Sequence, residues 1–308
     1  IKNKPDLIIY RYTIYDLSGI FVGKLFRIPV IYEVNGSVEY EREISGRYYF
    51  KRLVRSNEKY IFEHADLVLL VSNELKSYFE KKNYNIENTL IVPNGVDIER
   101  FSQNIPLPKD LQKIKDDLSD KKVIGFTGSL KSWHGAERII DILPEIIKVV
   151  PDARYLIIGD GERRGVIEDK IKKLGLENHV YITGFQDHSL IPTLIDIMDI
   201  AVAPYHDIDF FHFSPLKVFE YMAKGKPVVA PALGQCVDLV GKDNGILIQE
   251  NNNEELKNAI LRLLEDTDLA KRLGNNARKF IEENYTWEQN ARKIENAIIN
   301  KKKVRGEA

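Results

Sequence analysis

The stretch from 211 to 231, FHFSPLKVFEYMAKGKPVVAP, combines residue types suited to holding an anion next to hydroxyl groups. A helix opening at Ser214-Pro215 has a hydroxyl to cap it and a proline suited to the first helical position, which leaves the amides of Leu216, Lys217 and Val218 pointing outward. Helix ends of this kind attract anions. On a helical wheel Pro215, Leu216, Val218, Phe219, Met222 and Ala223 fill one broad side, while Lys217, Glu220 and Lys224 share a narrow polar stripe, so Glu220 faces away from the core. Two readings are open. Either the stripe is solvated and Lys217 pairs with Glu220 at i, i+3 for roughly a few tenths of a kcal/mol, or an anion rests on the first turn while Glu220, one turn deeper, accepts hydroxyl protons. Just upstream, Asp207 and Asp209 stand between His206 and His212, which superficially matches an oxygen-rich Mg²⁺ or Mn²⁺ site but reads instead as a loop over the ligand, with no metal expected.

The elements that must position these residues alternate along the chain. Short β-rich runs separated by helical patterns are the signature of βαβ units on parallel sheets. Candidate strands in the first part are Leu7 to Tyr10, Val30 to Val34, Leu67 to Val71 and Thr89 to Val92. The polar segment NIPLPKDLQKIKDDLSDKK reads as a linker. The series then restarts with VIGFTGS, ARYLIIGDG, VYITGF, DIAVAPY, PVVAPA and GILIQ, a doubly wound domain. The boundaries that result are a partial first domain over 1–105, a linker over 106–121, a second domain over 122–285, and a C-terminal helix over 286–308 that either closes the second domain or crosses back to the first. Open α/β sheets bind ligands at the carboxyl ends of their strands. TGSLKSWHG, GDGERR, TGFQDHS, PYHDID and FSPLK all fall there and outline a cleft facing the first domain.

Composition narrows the classes. A chain of 308 residues with 44% apolar and 30% charged residues is ordinary for a globular protein of two domains, and a net charge of −1 gives no signal for nucleic acid. Cys236 is the only cysteine, which rules out an intramolecular disulfide and fits a reducing, cytoplasmic setting. No apolar run reaches membrane-spanning length and no signal peptide is evident. The start, IKNKPDLIIY, lacks Met and lies almost directly on a strand, which reads as a truncated beginning.

VPNGVDIERF, GFTGSLKSWHG, LIIGDGERR, ITGF, DIAVAPY, SPLKVFEYMAKGKPVVA and TWEQNARK, in this order and spacing, resemble the retaining nucleotide-sugar glycosyltransferases of the GT-B fold, group 1 or family 4 type. The resemblance implies an α/β protein of two Rossmann-like domains, the N-terminal one incomplete here, and a donor that is a UDP-sugar or GDP-sugar, with no cofactor and no metal. The family pairs two glutamates separated by seven residues, the second gripping the ribose. Glu220 matches the second position, and His212 stands at the first. The family's diphosphate-holding Arg and Lys fall at Ser129 and His134, so Lys131 or Lys217 must supply the positive charge. The backbone at Phe185 and Gln186 resembles the segment that reads the base, and Gly128, Gly159 and Gly161 let the chain pass close to the ligand. The implied donor site is therefore Gly128, Ser129, Lys131, His134, Gly159, Gly161, Phe185, Gln186, Ser214, Pro215, Leu216, Lys217 and Glu220, with Lys131, His212 and Glu220 carrying the chemistry. In PVIYEVNGS, Asn35 occupies the place where relatives often carry a histidine; it cannot act as a base near neutral pH.

The implied reaction breaks a sugar–phosphate bond and delivers the acceptor to the face the leaving group departs from. The acceptor expected from the resemblance is a glycan or a lipid-linked molecule, and the setting is polysaccharide biosynthesis. A helix pattern over 47–61 puts Arg47, Lys51, Arg52, Arg55 and Lys59 on one side and Tyr49, Phe50, Leu53, Val54, Tyr60 and Ile61 on the other. Its apolar side either packs on the first sheet or, with the basic side, makes peripheral contact with the cytoplasmic face of a membrane. The departures at Ser129, His134 and His212 support an alternative, a catalytically silent nucleotide-sugar-binding protein or partner subunit, and a sugar-nucleotide epimerase is a third.

Overall fold

A computed structural model describes residues 4–46, 50–206 and 208–304. It is an α/β protein with two parallel sheets. The first has four strands, β1 (Ile8–Arg11), β2 (Val30–Val34), β3 (Leu67–Leu70) and β4 (Thr89–Ile91), paired in chain order. The second has six: β5 (Lys122–Thr127), β6 (Ala153–Ile158), β7 (Val180–Ile182), β8 (Ile200–Val202), β9 (Val228–Pro231) and β10 (Gly245–Ile248). Their spatial order is β10-β9-β8-β5-β6-β7, so the chain winds one way from β5 to β7 and the other way from β8 to β10. The reversal between β5 and β8 is the point at which such sheets open a crevice for ligands.

These strands form where the sequence is unbroken and β-branched. Every residue of β3 and β9 is buried, as expected of parallel strands covered on both faces. Ile124, Phe126, Tyr155, Ile157, Ile200, Val202 and Val229 anchor the core of the second sheet, packed under helices Ala136–Val149 and Asn253–Glu265. In the first sheet Val30, Tyr32, Val34, Val68 and Leu70 pack against Ile61, Phe62, Leu75 and Phe79 of the helices that follow.

The chain divides into two compact units. One comprises Ile1–Asn94, Phe210–Ser214 and Glu288–Ala308; the other comprises Gly95–Asp209 and Pro215–Trp287. The chain thus passes from one unit to the other four times. The short segment 210–214 is tied into the first unit, where the Ser72 hydroxyl donates to the His212 carbonyl at 2.9 Å and the Asn94 amide donates to Ser214 Oγ at 2.8 Å. Ile298, on the C-terminal helix Trp287–Val304, is buried with Ile31, Leu67 and Leu69. Lys301 Nζ on the same helix donates to the Asp66 carbonyl and to Asn88 Oδ1.

Three sequence-based expectations differ from this fold. The segment 106–121 is not a free linker: it holds the helix Lys109–Asp117, and Leu111 and Leu118 are buried. The helix expected over 47–61 runs from Lys51 to His64; Arg47 and Tyr49 lie outside the described residues. Its apolar side is divided, since Val54 and Ile61 are buried while Phe50 and Leu53 are exposed.

Candidate functional site

Helix Leu216–Ala223 follows the loop after β8, so its first turn lies on the carboxyl side of the second sheet. The helix is not amphipathic in the expected sense. Lys217 and Glu220 are only 8% and 6% exposed, whereas Leu216 is 43% exposed. The solvated stripe is therefore wrong, because neighbouring elements cover the polar side: the Lys217 ammonium lies over Phe126 and Tyr205, and Glu220 meets His188. Nor does Ser214 cap the helix. The cap position is Pro215, with no side-chain hydrogen bond, and the Ser214 hydroxyl instead accepts from Asn94. Of the three first-turn amides, that of Val218 donates to the Pro215 carbonyl at 2.8 Å.

Lys217 reaches back to the β5–β8 reversal. Its ammonium sits 4.0 Å from the Phe126 ring centre and 5.1 Å from that of Tyr205, one residue from β5 and one from the loop after β8. It flanks Gly128, where an added Cβ would lie 3.1 Å from Nζ. No hydrogen-bond partner for Nζ exists among the described residues. Burial pulls its pKa down to about 7, against the opposing pull of Glu220. An unpartnered buried amine is costly unless something anionic completes it.

Apart from Ser214, the other residues of the implied donor site lie in the same unit as Lys217. His134 Nδ1–H donates to the Ser129 carbonyl at 2.5 Å; burial and then Lys217 outweigh that bond and depress its pKa to about 4, so the ring is neutral. His134 therefore replaces the family's cation with a neutral group. Lys131 is exposed, with its ammonium 4.7 Å from the Trp133 ring centre, and is the less enclosed of the two lysines. Glu220 Oε1 accepts from His188 Nε2 at 2.7 Å, a partner that the motifs did not single out. Phe185 stands 84% exposed after Gly184, and the Gln186 side chain donates to the Thr183 carbonyl at 2.8 Å. Gly159 and Gly161 have φ of 151° and 157°. Their close neighbour is protein: a Cβ at Gly159 would sit 1.9 Å from the Gly128 carbonyl, and one at Gly161 would sit 2.8 Å from the Leu130 amide. The glycines let the β6 loop press against the 128–130 loop and so shape it.

His212 and Ser214, by contrast, belong to the first unit. His212 is 2% exposed, stacked on Phe210 and set against the edge of Tyr40. Asn35 donates to Glu33 Oε1 at 2.7 Å. Asp207 lies outside the described residues.

Comparison with known proteins agrees with this fold. Residues 109–280 match the model for glycosyl transferases group 1, and residues 1–100 match that for Glycosyltransferase Family 4. An uncharacterised glycosyltransferase of Methanocaldococcus jannaschii is 29% identical over 311 residues, covering 96% of this chain and 76% of its own length. The alpha-D-kanosaminyltransferase of Streptomyces kanamyceticus is 29% identical over 163 residues, 52% of this chain and 41% of its own. Among solved structures, Anabaena HepE in complex with UDP-glucose superposes with a TM-score of 0.75 at 25% identity, covering 96% of this chain and 79% of HepE. The chain belongs to the group 1 glycosyl transferases and is a glycosyltransferase of GT-B fold.

Proposed function

We propose that this glycosyltransferase draws its sugar from a nucleoside-diphosphate sugar, UDP- or GDP-linked, and transfers it with retention to a glycan or lipid-linked acceptor without a metal ion. The observation that carries the donor half is Lys217: a buried ammonium with no hydrogen-bond partner among the described residues, beside the glycine loop at the sheet's reversal point. That HepE has been solved with UDP-glucose supports uridine as the first base to test.

In the reaction the bond from the anomeric carbon to the β-phosphate oxygen breaks, and the electron pair leaves with the diphosphate. Lys217 balances the charge that develops there; each 1.4 kcal/mol of selective stabilisation is worth about tenfold in rate. Lys131, exposed at the mouth of the same loop, is the second cation. Glu220, held from one side by His188, accepts from the ribose hydroxyls, and the backbone at Phe185 and Gln186 meets the base. The acceptor hydroxyl attacks from the face the leaving group vacates and gives its proton to an oxygen of the departing diphosphate, which retains configuration without a protein nucleophile.

For the acceptor side, one face of the first unit combines cations with exposed apolar groups. Phe21 stacks near Tyr60 at 6.4 Å, Lys24 Nζ lies 5.4 Å from the same ring, and Leu25, Leu53, Arg52 and Lys59 share the two helices that carry them. Such a mixture suits the headgroup layer of an anionic membrane. No helix among the described residues is long and apolar enough to cross one.

The test is calorimetric titration with UDP, GDP and ADP in EDTA, comparing wild type with Glu220→Ala. Selective binding to one nucleotide, weakened in the variant by about 1.5–3 kcal/mol, is expected. Failure of every nucleotide to bind a folded protein overturns the proposal. Binding without turnover on any acceptor would leave the silent-partner alternative.

A further inference from the structure

The Glu220 carboxylate, on the second turn of its helix and almost wholly buried, has one hydrogen-bond donor among the described residues, His188 Nε2 at 2.7 Å from Oε1. A carboxylate only accepts, so Nε2 carries the proton. The loop that brings His188 there is itself tightly turned. Asp187 Oδ1 accepts from the Ser189 amide at 2.8 Å and from the Ser189 hydroxyl at 2.5 Å, and the Asp187 carbonyl accepts from the Leu190 amide at 2.9 Å, just before helix Ile191–Asp196. Phe101 meets the imidazole edge to face with ring centres 6.0 Å apart. All of these residues lie in one unit. The His188 side chain is nevertheless 48% exposed, so the core does not depend on it.

We propose that His188 is a positioning residue that turns the Glu220 carboxylate towards the donor ribose and thereby sets the preference for a ribonucleotide. The last torsion of a glutamate side chain is broad, so a carboxylate with no fixed donor swings freely. With Oε1 held by His188, the plane of the group is set and Oε2 is left for a ribose hydroxyl. A buried acceptor aligned in this way rejects an analogue that lacks the hydroxyl more strongly than a loose one does, because the unpaired oxygen has nowhere else to turn. The assignment rests on the donor reading above and adds to it a residue that discriminates between ribose and deoxyribose. A staple that merely joined the loop to the helix would contribute to stability and leave that discrimination untouched.

The experiment is calorimetry on the full chain with UDP, GDP and their 2′,3′-dideoxy counterparts, comparing wild type, His188→Ala and His188→Gln, with urea denaturation of each. Wild type should bind one ribonucleotide more tightly than its dideoxy form. His188→Ala should weaken the ribonucleotide about tenfold and leave the dideoxy form within about twofold. In His188→Gln the side-chain amide can donate in place of Nε2, and affinity should return to within about threefold of wild type. A folded His188→Ala protein that keeps the wild-type preference, or weakens both forms alike, overturns the assignment, as does a Gln variant no better than Ala. In each of those cases nucleotide binding by wild type leaves the donor reading standing. If wild type binds no nucleotide, the donor reading fails and the assignment falls with it.

Discussion

Replacing Lys217 by Met keeps an unbranched side chain of similar length in a socket walled by Phe126 and Tyr205, and removes only the charge. If that charge holds the donor diphosphate, UDP affinity falls by about 1.5–3 kcal/mol, roughly 10- to 150-fold, with little discount for screening because the residue is so deeply buried. The pH dependence gives a second signature. The ordinary lysine pKa of 10.5 drops to about 7 in the folded chain. Between those values the unfolded chain binds more protons than the folded one, so stability without ligand rises with pH across the window, and the penalty is full below about pH 7. A bound diphosphate acts oppositely: its negative charge raises the lysine pKa, binding takes up a proton, and affinity falls as pH rises above about 7. Calorimetry in buffers of differing ionisation enthalpy counts that proton, and urea denaturation over the same range follows the stability. Lys217→Met should abolish both slopes. A folded Lys217→Met protein that binds UDP within about twofold of wild type, with the same proton uptake, would refute the assignment.

Two further outcomes are expected. Gly159→Ala should cost about 2–4 kcal/mol in urea denaturation, because φ is 151° and the new methyl would lie 1.9 Å from the Gly128 carbonyl; Gly165→Ala, in an open helical position, should be neutral or stabilise by up to about 1 kcal/mol. The wild-type chain should pellet with vesicles containing phosphatidylserine and not with phosphatidylcholine alone, and the Arg52→Glu, Lys59→Glu double variant should lose that binding; equal pelleting by the variant counts against the membrane face.

The two sheets were legible because parallel strands are short apolar runs bounded by glycine and polar residues, and β2 runs from Val30 to Val34 as its composition says it should. The helix Lys109–Asp117 was hidden by its own surface. Only Leu111 on it is buried, too little apolar patterning to set against two upstream prolines. Helix Leu216–Ala223 was misjudged for a different reason. A wheel knows only the residues of its own helix, while Lys217 is covered by Phe126 and Tyr205, and Glu220 meets His188, all brought in by the winding of the sheet. His188 sits in TGFQDHS, a loop already singled out, yet nothing local ties it to a carboxylate 32 residues away. The reach of Lys217 to Gly128 is likewise a product of topology.

The fourfold passage of the chain between its units bears on how such proteins can be recombined. A single crossover near Asn94 would exchange most of the first unit but leave 210–214 and the C-terminal helix from the other parent. The transplanted sheet would then have to seat a foreign Ile298 against Ile31, Leu67 and Leu69, and its Ser72 would face a foreign backbone. Chimaeras intended to exchange the whole first unit should therefore be cut in four places and carry all three of its pieces together, and natural shuffling by one crossover should tend to yield poorly folded hybrids.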